Sequence, residues 1–361
     1  MDFTLDEHQT MLRDSVARFV AHDYSFERRR AVVEQGGFGA AHWSQFAQMG
    51  WLGAGLPESA GGYGGSALDT ALIAEQLGRG LVIEPFVEVA VMAAQALLPQ
   101  PDPPAASAVL GALIDGGALV VPALHPQGAA LDGGLRLSGR QTLVVGGPQA
   151  DRFLVAAAEA GGLSLLLLDA ATPGLQRHDY HLIDGSAASD LHFDGIVLDA
   201  AQRLGAPGAA ASVITAAHDH AIVAHCAQAL GVMDLALTTT RDYLLQRRQF
   251  GVAIASFQAL RHRMADMLIA QEQARATLHG ALAALSAADR GERRRAVAIA
   301  ALQSDRSGRF VGGQAIQLHG GIGMTDEYIV GHCLKRLMVL EQLRGSASSH
   351  WAALTATEPT P

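Results

Sequence analysis

The sequence predicts an α+β chain of several domains: a helical N-terminal domain, a central β-barrel or sandwich, and a C-terminal antiparallel four-helix bundle. Three observations carry this. The 361 residues exceed what one hydrophobic core organises. Apolar residues recur at helical spacing at both ends of the chain, and between them the period shortens towards two. A Pro-rich stretch, "LLPQPDPPAASA", marks the first break. The boundaries implied are 1–100, 101–205 and 206–361.

Each region follows from its own pattern. In "LDEHQTMLRDSVARFVAHD", Leu5, Met11, Leu12, Val16, Phe19 and Val20 form one stripe. "AHWSQFAQMGWLGAGLPESAGGYGG" breaks into a Gly-rich loop, and "SALDTALIAEQLGRGL" resumes a helix. No strand precedes Gly61, Gly62, Gly64 and Gly65, so they read as an inter-helix loop and not as a dinucleotide fingerprint. "GALVVPAL", "GGLRLSGRQTLVVGG", "DRFLVAAA", "LSLLLLD" and "DLHFDGIVL" read as strands bounded by Gly, Pro and Asp. Several such strands in one block suggest a sandwich or barrel. From Pro207 onward three long helical segments and a last one, from Asp326 towards Leu343, are joined by short connections, as in an antiparallel bundle.

Composition narrows the function. The chain is 49% hydrophobic and 17% charged, with a formal net charge of −9, which argues against nucleic acid as the main partner. The one basic cluster, "RGERRR" at Arg290 to Arg295, reads as a solvated helix start. No apolar run reads as a membrane span, and the acidic, amphipathic start lacks the features of a signal peptide; a cytoplasmic protein is expected. Cys226 and Cys333 match neither a zinc spacing nor a disulfide framework, and no metal site is expected.

Two stretches carry candidate chemistry. In "RDYLLQRRQFGVAIASFQ", Arg247, Phe250 and Gln258 surround a break at Gly251. A guanidinium beside a break and an aromatic suits a phosphate and a flat ring, and it equally suits an ordinary helix–helix turn with a surface Arg. In "AIQLHGGIG", a helical run ends at His319 and the pair Gly320–Gly321, preceded by Gln317. Adjacent glycines end a helix cheaply and also let a ligand approach backbone closely. His319 has no second ligand at i+4, and His218, His220 and His225 point to different helical faces, so all are weak metal candidates.

Over essentially its whole length the chain resembles the acyl-CoA dehydrogenase family. The resemblance rests on the order of the regions, on "LRLSGRQTLVVGG", and most specifically on "RRQFGVAIASFQ" and "QLHGGIGMTDEY". "QLHGGIGMTDEYIVGHCLKRL" is similar to small subunits of the pimeloyl-CoA dehydrogenase type. The resemblance implies FAD as cofactor, α,β-desaturation of an acyl-CoA thioester, and electrons passing to an electron-transfer flavoprotein. It also implies that Arg247, Phe250, Gln258, Gln317, Gly320 and Gly321 hold the pyrophosphate and adenosine of a flavin seated in the neighbouring subunit.

The chain departs from the family at the reacting centre. The family's base lies in a Tyr-Glu-Gly-Thr-like stretch, which is "LRGS" here, with Arg344 in the place of Glu. Arg stays protonated and cannot act as a base. The alternative base position, ten residues before Gly231, is Ala221. Where the family offers Thr-Glu-Pro and Gly-Ser-Asp near the flavin ring, this chain reads "ALHPQGAA", and the ring-contacting aromatic and hydroxyl correspond to Leu143 and Val145. What remains serves a neighbour's flavin; what is missing serves the chain's own. The expectation is the supporting subunit of an α₂β₂ dehydrogenase. Two alternatives stay open. One is a homo-oligomeric enzyme using Glu341, one turn before Arg344, as a displaced base whose pKa Arg344 lowers. The other is a non-catalytic acyl-CoA-binding or scaffold protein.

Overall fold

The structure is a computed structural model that describes residues 4–99, 103–133, 135–287 and 289–355. Helix α1 (Glu7–Asp23) starts at a reciprocal cap, in which Gln9 N–H donates to Asp6 Oδ1 at 2.8 Å and Asp6 N–H donates to Gln9 Oε1 at 3.2 Å. It buries Val16 and Phe19 of the stripe, with Leu12 and Val20 partly covered; Leu5 precedes the helix, and Met11, expected in the stripe, is 65% exposed near the first turns. α2 (Phe26–Glu34), α3 (Ala40–Gln48) and α4 (Ala67–Arg79) follow, and a π-helical stretch, Val87–Ala93, runs into α5 (Ala94–Leu97). The Pro-rich break differs from expectation, because Pro103–Ile114 forms helix α6. Its prolines occupy the first turn, where a missing N–H costs no intrahelical bond. The part of the break at 100–102 lies outside the described residues.

The strands β1 (Val120–Ala123), β2 (Ala129–Leu131), β3 (Arg136–Val145), β4 (Arg152–Glu159), β5 (Gly162–Asp169), β6 (Leu175–His181), β7 (Ala187–Val197) and β8 (Arg203–Leu204) form one mixed sheet. Their order is β6-β7-β3-β2-β4-β5-β8, with β1 parallel to β4. β4 and β5 are buried through their centres, which explains their unbroken apolar runs. β6, "LQRHDYH", is largely exposed and shows no apolar alternation, so the sequence does not announce it.

The C-terminal helices are α7 (Ala211–Gln246), α8 (Gln258–Leu285), α9 (Arg290–His319) and α10 (Ile329–Leu343), and they are followed by an unanticipated α11 (Ala347–Thr355). The helical N-terminal region, the mixed sheet and the helical bundle thus follow one another in the expected order. Arg290 opens α9, capped by Asp289, whose carboxylate accepts from the N–H groups of Gly291 and Glu292. One correction concerns hydropathy: α7 is long and apolar enough, by length and composition, to cross a membrane. Of its apolar window 78% is buried, which gives it the character of a core helix. By contacts the chain groups into two compact units, one of residues 1–30, 67–82 and 222–361, the other of 31–66 and 83–221.

Buried histidines make the first unit acid-sensitive. Burial pushes His319, His332 and His350 below the ordinary imidazole value of 6.5, with backbone carbonyls pulling the other way. The folded rings therefore stay neutral where the unfolded chain takes up protons, so stability falls as pH drops below 6.5. Thermal unfolding at pH 7.5 and 5.5 is expected to show a lower Tm at 5.5; equal values would contradict the neutral, buried assignment.

Candidate functional site

The predicted flavin-contact residues lie on two stretches of the first unit. Just after α7 the chain makes a short hairpin, β9 (Arg248–Gln249) against β10 (Val252–Ala253). Phe250 and Gly251 form its two-residue loop with φ of 54° and 81°, the pair of left-handed conformations that suits the twist of the strands. Left-handed backbone is unfavourable for an aromatic residue. Phe250 adopts it at the tip and is 91% exposed, with Phe257 edge-on at 6.2 Å. Arg247 is exposed at the base of the hairpin, where its carbonyl accepts from Ile254 N–H at 2.8 Å. Gln258 is the first residue of α8, and no side chain caps that helix among the described residues. At the positive end of this 28-residue helix Leu260 and Arg261 N–H donate to the Phe257 carbonyl at 3.1 and 3.3 Å, and the N–H groups of Gln258 and Ala259 precede these bonds.

This stretch is cationic in an anionic protein. Arg247, Arg248, Arg261 and Arg263 are exposed, and no Asp or Glu occurs between Asp242 and Asp266. Such a surface attracts phosphate.

The second stretch ends α9. Gln317, Gly320 and Gly321 are exposed, and among the described residues no heavy atom beyond the chain neighbours lies within 4 Å of a Cβ built at either glycine. Gly320 has φ 66° and ψ −142°, a conformation open essentially to glycine alone. This is an open, side-chain-free surface that a ligand can approach. The two stretches are brought together by an aromatic contact: Tyr243, one turn before Arg247, stacks on His319 at 4.4 Å with 30° between the rings. Spacing alone did not reveal this contact, because the partners are 76 residues apart.

The base positions are a different matter. Arg344, in place of the family's Glu, is 3% exposed. Its Nε and Nη2 donate to Asp305 Oδ1 at 3.0 and 2.5 Å, and its Nη1 donates to the His225 carbonyl at 3.2 Å. Burial pushes the Asp305 carboxyl up, and the guanidinium pulls it back. Among the described residues Arg344 and Glu341, though one turn apart, are not bonded to each other. Instead Glu341 receives a two-point bond from Arg309, with Nε at 2.7 Å and Nη2 on the other oxygen. To serve as a base, Glu341 would have to leave that guanidinium. Ala221 is buried, 3% exposed, and carries no ionisable group. Sequence reasoning missed Asp305, whose partner lies 39 residues away.

In the second unit, β3 bulges against β7 between Gln141 and Val144. Leu143 sits in the bulge at φ 57°, and its N–H donates to Asp190 Oδ1 at 3.1 Å. Tyr180 Oη donates to the same oxygen at 2.9 Å, and Arg140 pairs with the carboxylate. Burial works to raise the Asp190 carboxyl, but these bonds outweigh it and hold the group below its ordinary value. Val145 is buried. Neither Leu143 nor Val145 can stack on a ring face with an aromatic or donate a hydroxyl. Within the first unit, the exposed Arg247 and Phe250 and the open Gly320–Gly321 turn have the chemistry to meet a pyrophosphate and an adenine.

Comparison with known proteins places the chain in a family. The acyl-CoA dehydrogenase N-terminal domain matches residues 6–101, and the C-terminal domain of the same enzymes matches residues 208–357. The acyl-CoA dehydrogenase FadE27 of Mycobacterium tuberculosis is 30% identical over 345 residues, spanning 91% of this chain and 91% of that protein. The solved ChsE4–ChsE5 complex of the same organism matches with a TM-score of 0.90 at 28% identity, covering 97% of each chain. A variant of the Tcur3481–Tcur3483 steroid ACAD matches with a TM-score of 0.86 at 28% identity, over 96% of each chain. FAD is the cofactor of these enzymes as a family. The chain belongs to the acyl-CoA dehydrogenase family.

Proposed function

We propose that this chain is the supporting subunit of a heteromeric, FAD-dependent acyl-CoA dehydrogenase, an α₂β₂ assembly in which it completes the flavin site of a catalytic partner. The observation that carries the reading is the contrast within one unit. The dinucleotide cradle is open and exposed, whereas the base position is filled by the buried Arg344, tied to the partly buried Asp305. Two of the similar solved structures are named as pairs of chains, ChsE4–ChsE5 and Tcur3481–Tcur3483, and support the two-subunit form. Exposed apolar side chains on the bundle, Leu245, Leu268, Ile269, Ile299 and Phe310 among them, supply surface that a partner subunit would cover.

In this assembly the flavin supplies the hydride acceptor for desaturation of an acyl-CoA thioester. This chain's share is positional and electrostatic. Arg247 offers its planar guanidinium to pyrophosphate oxygens, and the uncapped start of α8 adds N–H donors. Phe250 offers an exposed ring face to adenine, while Gly320 and Gly321 leave room for the dinucleotide. The partner supplies the carboxylate base, and reduced flavin passes its electrons to an electron-transfer flavoprotein. The similar Tcur3481–Tcur3483 protein is a steroid ACAD, which supports a steroid-derived thioester as the acyl-CoA.

The test is co-expression with a dehydrogenase chain that carries an intact Tyr-Glu-Gly-Thr stretch. The assembly is expected to retain flavin that bleaches anaerobically with acyl-CoA, and Arg247→Ala in this chain is expected to lower flavin retention about tenfold. A chain that, purified alone, binds flavin and bleaches it would overturn the reading.

A further inference from the structure

His319 belongs to neither half of the cradle as a ligand contact, yet it sits where the two halves meet. It is the last residue of α9, 4% exposed, immediately before the double glycine. Its ring stacks on Tyr243 and tilts against Tyr328 at 5.1 Å. Its Nδ1 lies 2.8 Å from the Ala315 carbonyl, an acceptor only, so Nδ1 carries the proton and donates. Tyr243 Oη donates to the His319 carbonyl at 3.4 Å. The peptide that opens the Gly320–Gly321 turn is therefore held through the ring stack, the ring nitrogen and its own carbonyl oxygen.

The remaining nitrogen, Nε2, is buried and has no hydrogen-bond partner among the described residues. Leaving an acceptor unpaired is unfavourable, and a Phe would fill the same stack without that cost. The retained imidazole is accounted for by the bond it makes with Nδ1, which no hydrocarbon ring can replace. A second tie runs in the same sense: Arg263 Nη1, in the second turn of α8, donates to Gln314 Oε1 at 3.3 Å, one turn before Gln317.

We propose that His319, stacked on Tyr243 and bonded to Ala315, is the positioning residue that locks the end of α7, with the β9–β10 hairpin that follows it, and the double-glycine turn into one register. A dinucleotide then meets both at once. The inference rests on the supporting-subunit reading, since it assigns the cradle to a dinucleotide. Preorganisation of this kind raises affinity by removing the ordering that binding would otherwise require.

The experiment titrates the full-length chain with ADP and with FAD, followed by protein fluorescence and ligand NMR, beside thermal unfolding of each variant. His319→Ala and Tyr243→Leu are expected to weaken both ligands about tenfold. Tyr243→Phe keeps the ring stack and loses only the long 3.4 Å bond to the His319 carbonyl, so it is expected to bind nearly as the parent does. Leu282→Ala is the control for general destabilisation, since it removes a buried side chain 24 residues along α8 from Gln258, about 36 Å at the helical rise. It should lower Tm and leave binding unchanged. Should His319→Ala not fold, Tyr243→Leu, which leaves the Ala315 bond in place, carries the test. Parental affinity in folded His319→Ala and Tyr243→Leu, or an equal loss in Leu282→Ala, overturns the positioning role and leaves the supporting-subunit reading standing. If the parent chain binds neither ligand, alone or co-assembled, that reading falls as well.

Discussion

Arg344→Glu, which restores the residue the family carries at its base position, is expected to give a destabilised chain with no dehydrogenase activity. Arg344 is buried against Asp305, whose side chain is 11% exposed, and the guanidinium also serves the His225 carbonyl. Removing one partner of a buried pair leaves a charge without compensation and typically costs about 3–5 kcal/mol. Arg344→Ala should lose on that order, and Arg344→Glu more, because a second carboxylate then faces Asp305. The double variant Arg344→Met/Asp305→Leu should recover most of the loss, since apolar replacement of both members is often neutral. Urea unfolding of the three variants checks this. An Arg344→Glu chain of parental stability that bleaches flavin with acyl-CoA would show that the position is a dormant base site and not a structural pin.

Gly231→Ala is expected to be comparably damaging, for a steric reason. A Cβ at Gly231 would stand 1.8 Å from the Glu75 carbonyl oxygen, and one at Gly78 would stand 2.1 Å from that of Gln228. Helices α4 and α7 thus cross backbone on backbone, each through a glycine of its own. Arg79 pairs with Asp234 beside this crossing. Any side chain there forces two helices apart, because backbone cannot rotate away as a flexible side chain does. The loss should be about 3 kcal/mol or more, at the upper end for overpacking. Parental stability of Gly231→Ala in denaturant would contradict the crossing.

These two positions show what the sequence discloses and what it withholds. Helical periodicity placed the stripe of α1 and the long bundle helices, since an apolar face recurs wherever one side of a helix is buried. It failed where burial and sequence part company. β6 is exposed, so it carries no alternation; α6 begins with prolines that read as a break; α11 is short and lies beyond the stretch where the bundle pattern ended. The cradle residues were legible only through the family resemblance. Arg247 and Gly251 alone suit an ordinary turn as well as they suit a phosphate. What joins the cradle, Tyr243 on His319, spans 76 residues, and the partner of Arg344 is 39 residues away. Local spacing carries no record of either pairing. Glu341 shows the reverse error: one turn from Arg344 along the helix, it is nevertheless paired with Arg309.

The central claim, that this chain completes a partner's flavin site and does not run its own, is tested most directly by counting flavin. The chain purified alone after exposure to FAD, and its co-purified assembly with a base-carrying dehydrogenase chain, are compared by absorbance for FAD bound per polypeptide. The account predicts no flavin that acyl-CoA can bleach in the chain alone, and about one FAD for each pair of unlike chains in the assembly. One FAD per polypeptide in a homo-oligomer, bleached by acyl-CoA, would contradict it and return attention to Glu341.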